Sequence, residues 1–195
     1  MNREKGKIFA ISAPSGTGKT TIVRRVLKEI PELVYSVSAT TRKKRENEIT
    51  GSDYFFINEQ EFLKRIDNDE FVEWEKVYDY YYGTFKYFID QNIEKGKSVI
   101  AEVDVKGALS LKKIYPDAIL IFLSPPSLNE LVERLMNRKT ETETDLQKRI
   151  ERAKMELSQK DKFDYLVINK DLEKAISEIK SLILTLTQGV NNNAN

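Results

Sequence analysis

The sequence predicts an α/β fold, a parallel sheet with helices on both faces, on three observations. Short apolar, β-branched runs recur along the chain, segments of helical spacing follow them, and the two kinds alternate. The runs are Lys7 to Ser12, Leu33 to Val37, Ser98 to Val103, Ala118 to Leu123 and Tyr165 to Ile168, which makes a five-stranded core. The helical segments are Lys19 to Ile30, Asp104 to Ile114, Ser127 to Arg138 and Leu172 to Leu186. Ser127 and Glu130 have the spacing of a capping box, in which hydroxyl and carboxylate each satisfy an amide at the helix start.

Two stretches interrupt the alternation. The first, from about Ser38 to Gly83, is rich in Arg, Lys, Glu and Tyr and holds strand-like pieces at Tyr54 to Ile57 and Phe71 to Val77. The second, from about Arg138 to Asp145, is Thr/Glu-rich and flanked by arginines. Insertions of this kind in a rigid sheet are candidate lids, because flaps that close on a substrate come from weakly packed segments. At 195 residues the chain suits one domain, and its polar last residues, 189–195, read as a disordered tail.

Composition removes several chemistries. With 32 basic and 31 acidic residues the net charge is +1, so no bulk field draws the chain to nucleic acid or anionic lipid. No Cys and no His occur, which excludes disulfides, thiol nucleophiles, cysteine-ligated metals and the commonest general base. Chemistry has to run on carboxylates, lysine, arginine and hydroxyls. The charged N-terminus leads into too few apolar residues for a signal core or a membrane span, so a cytoplasmic location is the default expectation.

The first strand runs from Ile8 to Ala13 into Pro14, Ser15, Gly16, Thr17, Gly18, Lys19, Thr20 and Thr21, which open a helix. Strand, small-residue loop and helix are the context a phosphate-binding P-loop requires: the backbone curls so that amides and the positive helix end face phosphate oxygens. Lys19 is then expected to reach the β and γ phosphates of ATP, and the Thr20 hydroxyl to bind Mg2+. Ala13 stands where the general pattern has its first glycine. Glu102 and Asp104, at the end of a predicted buried strand, are candidates to meet the Mg2+ through water; a helix cap is the competing role for Asp104.

The insert names the acceptor. Ser36-Val-Ser38-Ala-Thr-Thr41-Arg42-Lys-Lys-Arg45, Gly51-Ser-Asp-Tyr54, Phe71-Val-Glu73-Trp74 and Tyr81-Tyr82-Gly83-Thr84 resemble, in order and spacing, the nucleoside-monophosphate-binding region of guanylate kinases. The resemblance runs from the phosphate loop to the strand ending at Asn169. It implies that Arg42, Arg45, Tyr54 and Tyr82 hold the phosphate of GMP and that Ser38, Glu73, Thr84 and Asp104 address guanine. The chemistry of the side chains agrees. Arginine forks match phosphate oxygens, and an ionised carboxylate accepts from both donors of the guanine edge, with Glu73 as the candidate. Taken singly, the same residues read as a solvated basic loop at 42–45, aromatic packing at 78–82 and an ordinary strand carboxylate at Glu73.

Leu131 to Arg149 resembles the family's lid. Arg134 and Arg138 are four apart and share a helix face; Arg149 joins them by position, and with Lys19 they form the expected catalytic set. Lys139 departs from the glycine usual there, and solvated helix charges paired with Glu130 or Glu133 are the alternative for Arg134 and Arg138. The resemblance thus implies a P-loop NTPase fold. Its core covers 1–37, 85–137 and 150–188, with a mixed α/β GMP-binding insert at about 38–84 and a helical lid at about 138–149. The implied activity is reversible transfer of the γ-phosphoryl group of ATP to GMP, giving ADP and GDP, in purine nucleotide metabolism and GMP recycling. The expected partners are ATP and GMP, with dGMP a further acceptor, in a monomer or homodimer. A non-catalytic peptide-binding scaffold and a kinase for another monophosphate are the rivals.

Overall fold

In the computed structural model, which describes residues 5–77, 79–136 and 143–188, the five expected strands form one all-parallel sheet. They are β1 (Ile8–Ser12), β2 (Val34–Tyr35), β7 (Val99–Glu102), β8 (Ile119–Ser124) and β9 (Tyr165–Ile168), in the order β2-β7-β1-β8-β9. Strand ends differ from expectation by about one or two residues, the usual scatter of element boundaries.

Strand alternation sorts the core into two layers. Phe9 and Ile11 of β1 turn to one face, where Ile22, Val23 and Val26 of α1 (Lys19–Glu29) meet Ile176, Ile179 and Ile183 of α7 (Leu172–Gln188). Ile8 and Ala10 turn to the other, with Ala108 and Leu111 of α4 (Val105–Ile114) and Ile89 of α3 (Lys86–Glu94). The central strands are buried on both sides, as their unbroken apolar runs require.

The insert folds as a second, mixed sheet. Its strands are β3 (Ala39–Thr40), β4 (Phe55–Phe56), β5 (Phe71–Val77) and β6 (Tyr80–Phe85), in the order β4-β3-β6-β5. It closes over a small aromatic core in which Phe62 of α2 (Glu59–Asp67) stacks on Phe71 at 4.5 Å and on Tyr81 at 5.3 Å. The sequence reading missed α2, although its start is signalled: the Asn58 side chain accepts from the Glu61 N–H at 2.8 Å, behind two acidic residues in the first turn. It also missed α3 and α6 (Glu143–Leu157). The expected helix from Ser127 begins as α5 (Leu128–Met136), where the Glu130 N–H donates to Ser127 Oγ at 3.2 Å. The Glu130 carboxylate lies 3.6 Å from Arg134 instead of completing the box.

Candidate active site

The loop after β1 owes its shape to two glycines. Gly16 and Gly18 hold φ of 91° and 92°, a region open to glycine at little cost, and a Cβ on Gly18 would sit 3.1 Å from Asn169 Nδ2. Ala13 needs no such freedom. Among the described residues Asp69 is the one non-glycine with positive φ, so Ala13, buried beneath the loop, fits its place. With glycine at the cap of α1 and no acid in its first turn, the leading amides face the loop unopposed. Asn169, at the end of β9, donates from Nδ2 to the Thr17 carbonyl at 2.7 Å and so ties the loop to the sheet edge.

Lys19 donates from Nζ to the Val103 carbonyl at 2.8 Å. Burial pushes its ammonium below the ordinary lysine range, against the opposing pull of Glu102, Asp104, Glu156 and Glu73. Thr20 Oγ1 donates to Glu102 Oε1 at 2.5 Å across from β7. From the helical side, Arg149 Nη2 donates to Ser15 Oγ at 2.7 Å, and Arg134 Nη2 to the Asn169 carbonyl at 3.3 Å. Arg138 and Lys139 lie outside the described residues.

Across from the loop, antiparallel pairing of β5 with β6 sets Glu73 opposite Thr84, whose Oγ1 donates to Glu73 Oε1 at 2.6 Å. Withdrawal from water is the largest effect on this carboxyl and, aided by Asp104 and Glu75, raises its pKa to about 7 against the Thr84 bond. Asp104 is indeed the cap of α4: Oδ1 accepts from the Gly107 N–H at 2.7 Å. Its second oxygen, Oδ2, accepts from Arg152 Nη2 at 3.1 Å.

A third group forms at the entrance to the insert. The Arg42 guanidinium lies 5.5 Å from the Tyr54 ring centroid, and the Tyr54 and Tyr82 rings meet edge to face at 6.0 Å. Arg45 is exposed, and its backbone N–H donates to Glu48 at 2.8 Å. Ser38 lies between β2 and β3 and contributes its carbonyl to the Phe55 N–H at 2.9 Å. Glu48, absent from the sequence reading, binds both Arg42 nitrogens at 2.6 and 3.0 Å; this fork and the Arg45 N–H hold its carboxyl at about 2.

Three depressions join these groups. One of about 970 Å³ lies between α1 and the 45–54 segment and includes Thr20, Arg45, Tyr54 and Glu102. One of about 430 Å³ is lined by the loop, Lys19, Glu102, Asp104 and Arg149. The third, about 450 Å³, holds Glu73, Asp104 and Gly107. Shared walls at Thr20, Glu102 and Asp104 make them one branched cleft.

A glycine-shaped anion loop at the carboxyl end of a parallel sheet, with lysine and arginine converging on it, defines a P-loop kinase. The family model described as guanylate kinase matches residues 5–186. Guanylate kinase from Thermotoga maritima is 48% identical over 179 residues, 92% of this chain and 86% of that protein. That of Caldanaerobacter subterraneus subsp. tengcongensis is 43% identical over 182 residues, 93% and 88% of the two chains. A crystal structure of guanylate kinase from Anaplasma phagocytophilum superposes with a TM-score of 0.77 at 29% identity, covering 96% of this chain and 89% of that one. The chain belongs to the guanylate kinase family.

Proposed function

We propose that the protein transfers the γ-phosphoryl group of ATP to GMP, reversibly, yielding ADP and GDP. The observation that carries the acceptor assignment is Glu73, held by Thr84 on the wall facing the phosphate loop. An ionised carboxylate accepts from both the ring N–H and the amine of guanine. Adenine would set a ring acceptor against it, a mismatch that polar sites reject by roughly 10⁴-fold or more.

In this reading residues 13–21 grip the triphosphate, and Lys19 leaves the Val103 carbonyl to meet its β and γ oxygens. Arg42, Arg45, Tyr54 and Tyr82 receive the GMP phosphate, and Ser38, Glu73, Thr84 and Asp104 the base. Arg134 and Arg149, joined by Arg138, neutralise charge on the moving group. No general base is required, because a phosphate monoester has its second pKa near 6 and attacks as an anion. Thr20 and Glu102 offer oxygens only, a donor set suited to Mg2+, which takes one or two protein oxygens and fills its shell with water and phosphate. When bound, the ion offsets charge on the β and γ oxygens.

The core, insert (38–84) and lid (138–149) divide the work as holder of ATP, holder of GMP and cover, in a cytoplasmic monomer or homodimer that serves purine nucleotide metabolism and also accepts dGMP. Among the described residues no helix is long and apolar enough to cross a membrane. A coupled assay with ATP and Mg2+ against GMP, AMP, UMP, CMP and dTMP tests the reading. GMP alone of the five should turn over, and nucleotide binding with no turnover would favour a scaffold instead.

A further inference from the structure

We propose that Arg152 is a positioning residue that couples the two ends of the cleft, tying Glu75 and Asp104 to the helix whose Arg149 reaches the phosphate loop. The inference rests on the reading that the Glu73 end receives the acceptor base.

Arg149 and Arg152 are three apart on α6 and so share a face. Arg149 donates to Ser15 Oγ in the loop at 2.7 Å, while Arg152 Nη2 donates to Glu75 Oε2 at 3.2 Å and to Asp104 Oδ2 at 3.1 Å. Its Nε is held by Glu156, one turn on, at 3.0 Å. Both distant partners flank Glu73. Glu75 stands two places along β5, on the same face, and Asp104 fixes Gly107, where an added Cβ would lie 3.0 Å from Glu73 Oε2. Among the described residues, α6 packs its buried apolar side on α5, where Ala153 meets Leu131 and Leu135. Arg152 therefore makes a polar link from this helix to the insert and the core at once.

The link is shaped for coupling more than for stability. The side chains of Arg152, Glu75 and Asp104 are 41%, 31% and 24% exposed, and ion pairs so open to water add little to the folding free energy. A base that settles against Glu73 and Asp104 fixes the carboxylates that Arg152 holds, and through α6 the place of Arg149 at the loop. By linkage, each nucleotide then tightens the other by the same factor.

Calorimetric titrations with GMP, with a non-hydrolysable ATP analogue, and with each in the presence of the other test this on the full chain. In the wild type each ligand should tighten the other several-fold. Arg152→Met, which keeps the apolar stem, should weaken GMP by about 10-fold, the size expected when one charged partner of a network is lost, and should remove most of the mutual tightening. Because Arg152 also borders the loop depression, binding of the analogue alone should weaken, but by clearly less than that of GMP, and Tm should hold. Arg152→Lys should recover part of the effect, and Glu75→Gln combined with Arg152→Met should cost less than the sum of the two. Unchanged GMP affinity and coupling in Arg152→Met, equal loss for both ligands, or no coupling in the wild type would overturn the inference alone. A wild type that binds the analogue and not GMP would remove the acceptor reading beneath it.

Discussion

In the proposed reading Glu73 serves binding at a cost to folding. Its proton is held to about pH 7 in the folded protein, whereas an ordinary glutamate lets go near 4.5. Between these values the folded form binds more protons than the unfolded one, so stability falls as pH rises through the window, by about 3 kcal/mol at most. Glu73→Gln cannot ionise and escapes that loss: at pH 8 it should melt above the wild type, and at pH 4.5 the advantage should be gone. The same variant should lose roughly 10²- to 10³-fold in kcat/KM for GMP, because an amide presents a donor where guanine needs an acceptor. A Tm that tracks the wild type at both pH values would show the carboxyl to be freely solvated. For the wild type, KM for GMP should fall as pH rises through about 7, as Glu73 ionises. Lys19 is marked by its place between a strand, a small-residue loop and a helix, whereas Glu73 and Arg42 stand out only through the resemblance of the insert to the family, with which their chemistry agrees. Glu48 escaped notice because its role exists only once the loop folds its carboxylate onto Arg42.

At the scale of elements, α4 does two jobs at its first turn. Asp104 caps it, and Gly107 lets the Glu73 side chain lie against the backbone. Gly107→Ala places a methyl 3.0 Å from Glu73 Oε2, so the carboxylate has to shift. KM for GMP should rise by about 10-fold, since displacements of this order at a binding group are costly. KM for ATP should hold, with Tm moving little, because alanine favours a helix over glycine by about 1 kcal/mol and offsets the crowding. An equal rise in both KM values would mean that the loop, not the acceptor wall, feels the change. Apolar runs disclosed the core strands, since strands buried on both faces leave no polar punctuation. The helices α2 and α6 carry many charges, and α3 begins with no side-chain cap, so among the three only α2 announces its start, through Asn58.

Across the whole molecule two cores divide the stabilising work. Phe122 is fully buried in the main sheet, and Phe62 is fully buried among aromatic rings in the insert. Phe122→Ala should cost about 3–5 kcal/mol, seen as a lower urea midpoint, and abolish both nucleotide sites together. Phe62→Ala, with the same volume removed, should weaken GMP while the ATP analogue binds as before. Equal loss of both ligands in Phe62→Ala would show that the insert is not independent of the core. The sequence by itself determined the parallel sheet and the phosphate loop, because these depend on local pattern; the acceptor residues it offers come from the resemblance of the insert to the family. Which groups meet was decided only in three dimensions: Thr84 on Glu73, Asn169 on the loop, and Arg152 between Glu75 and Asp104. The last two span 152 and up to 77 residues of chain. Such contacts follow from how sheet, insert and α6 pack, and no periodicity or spacing along a single chain encodes that.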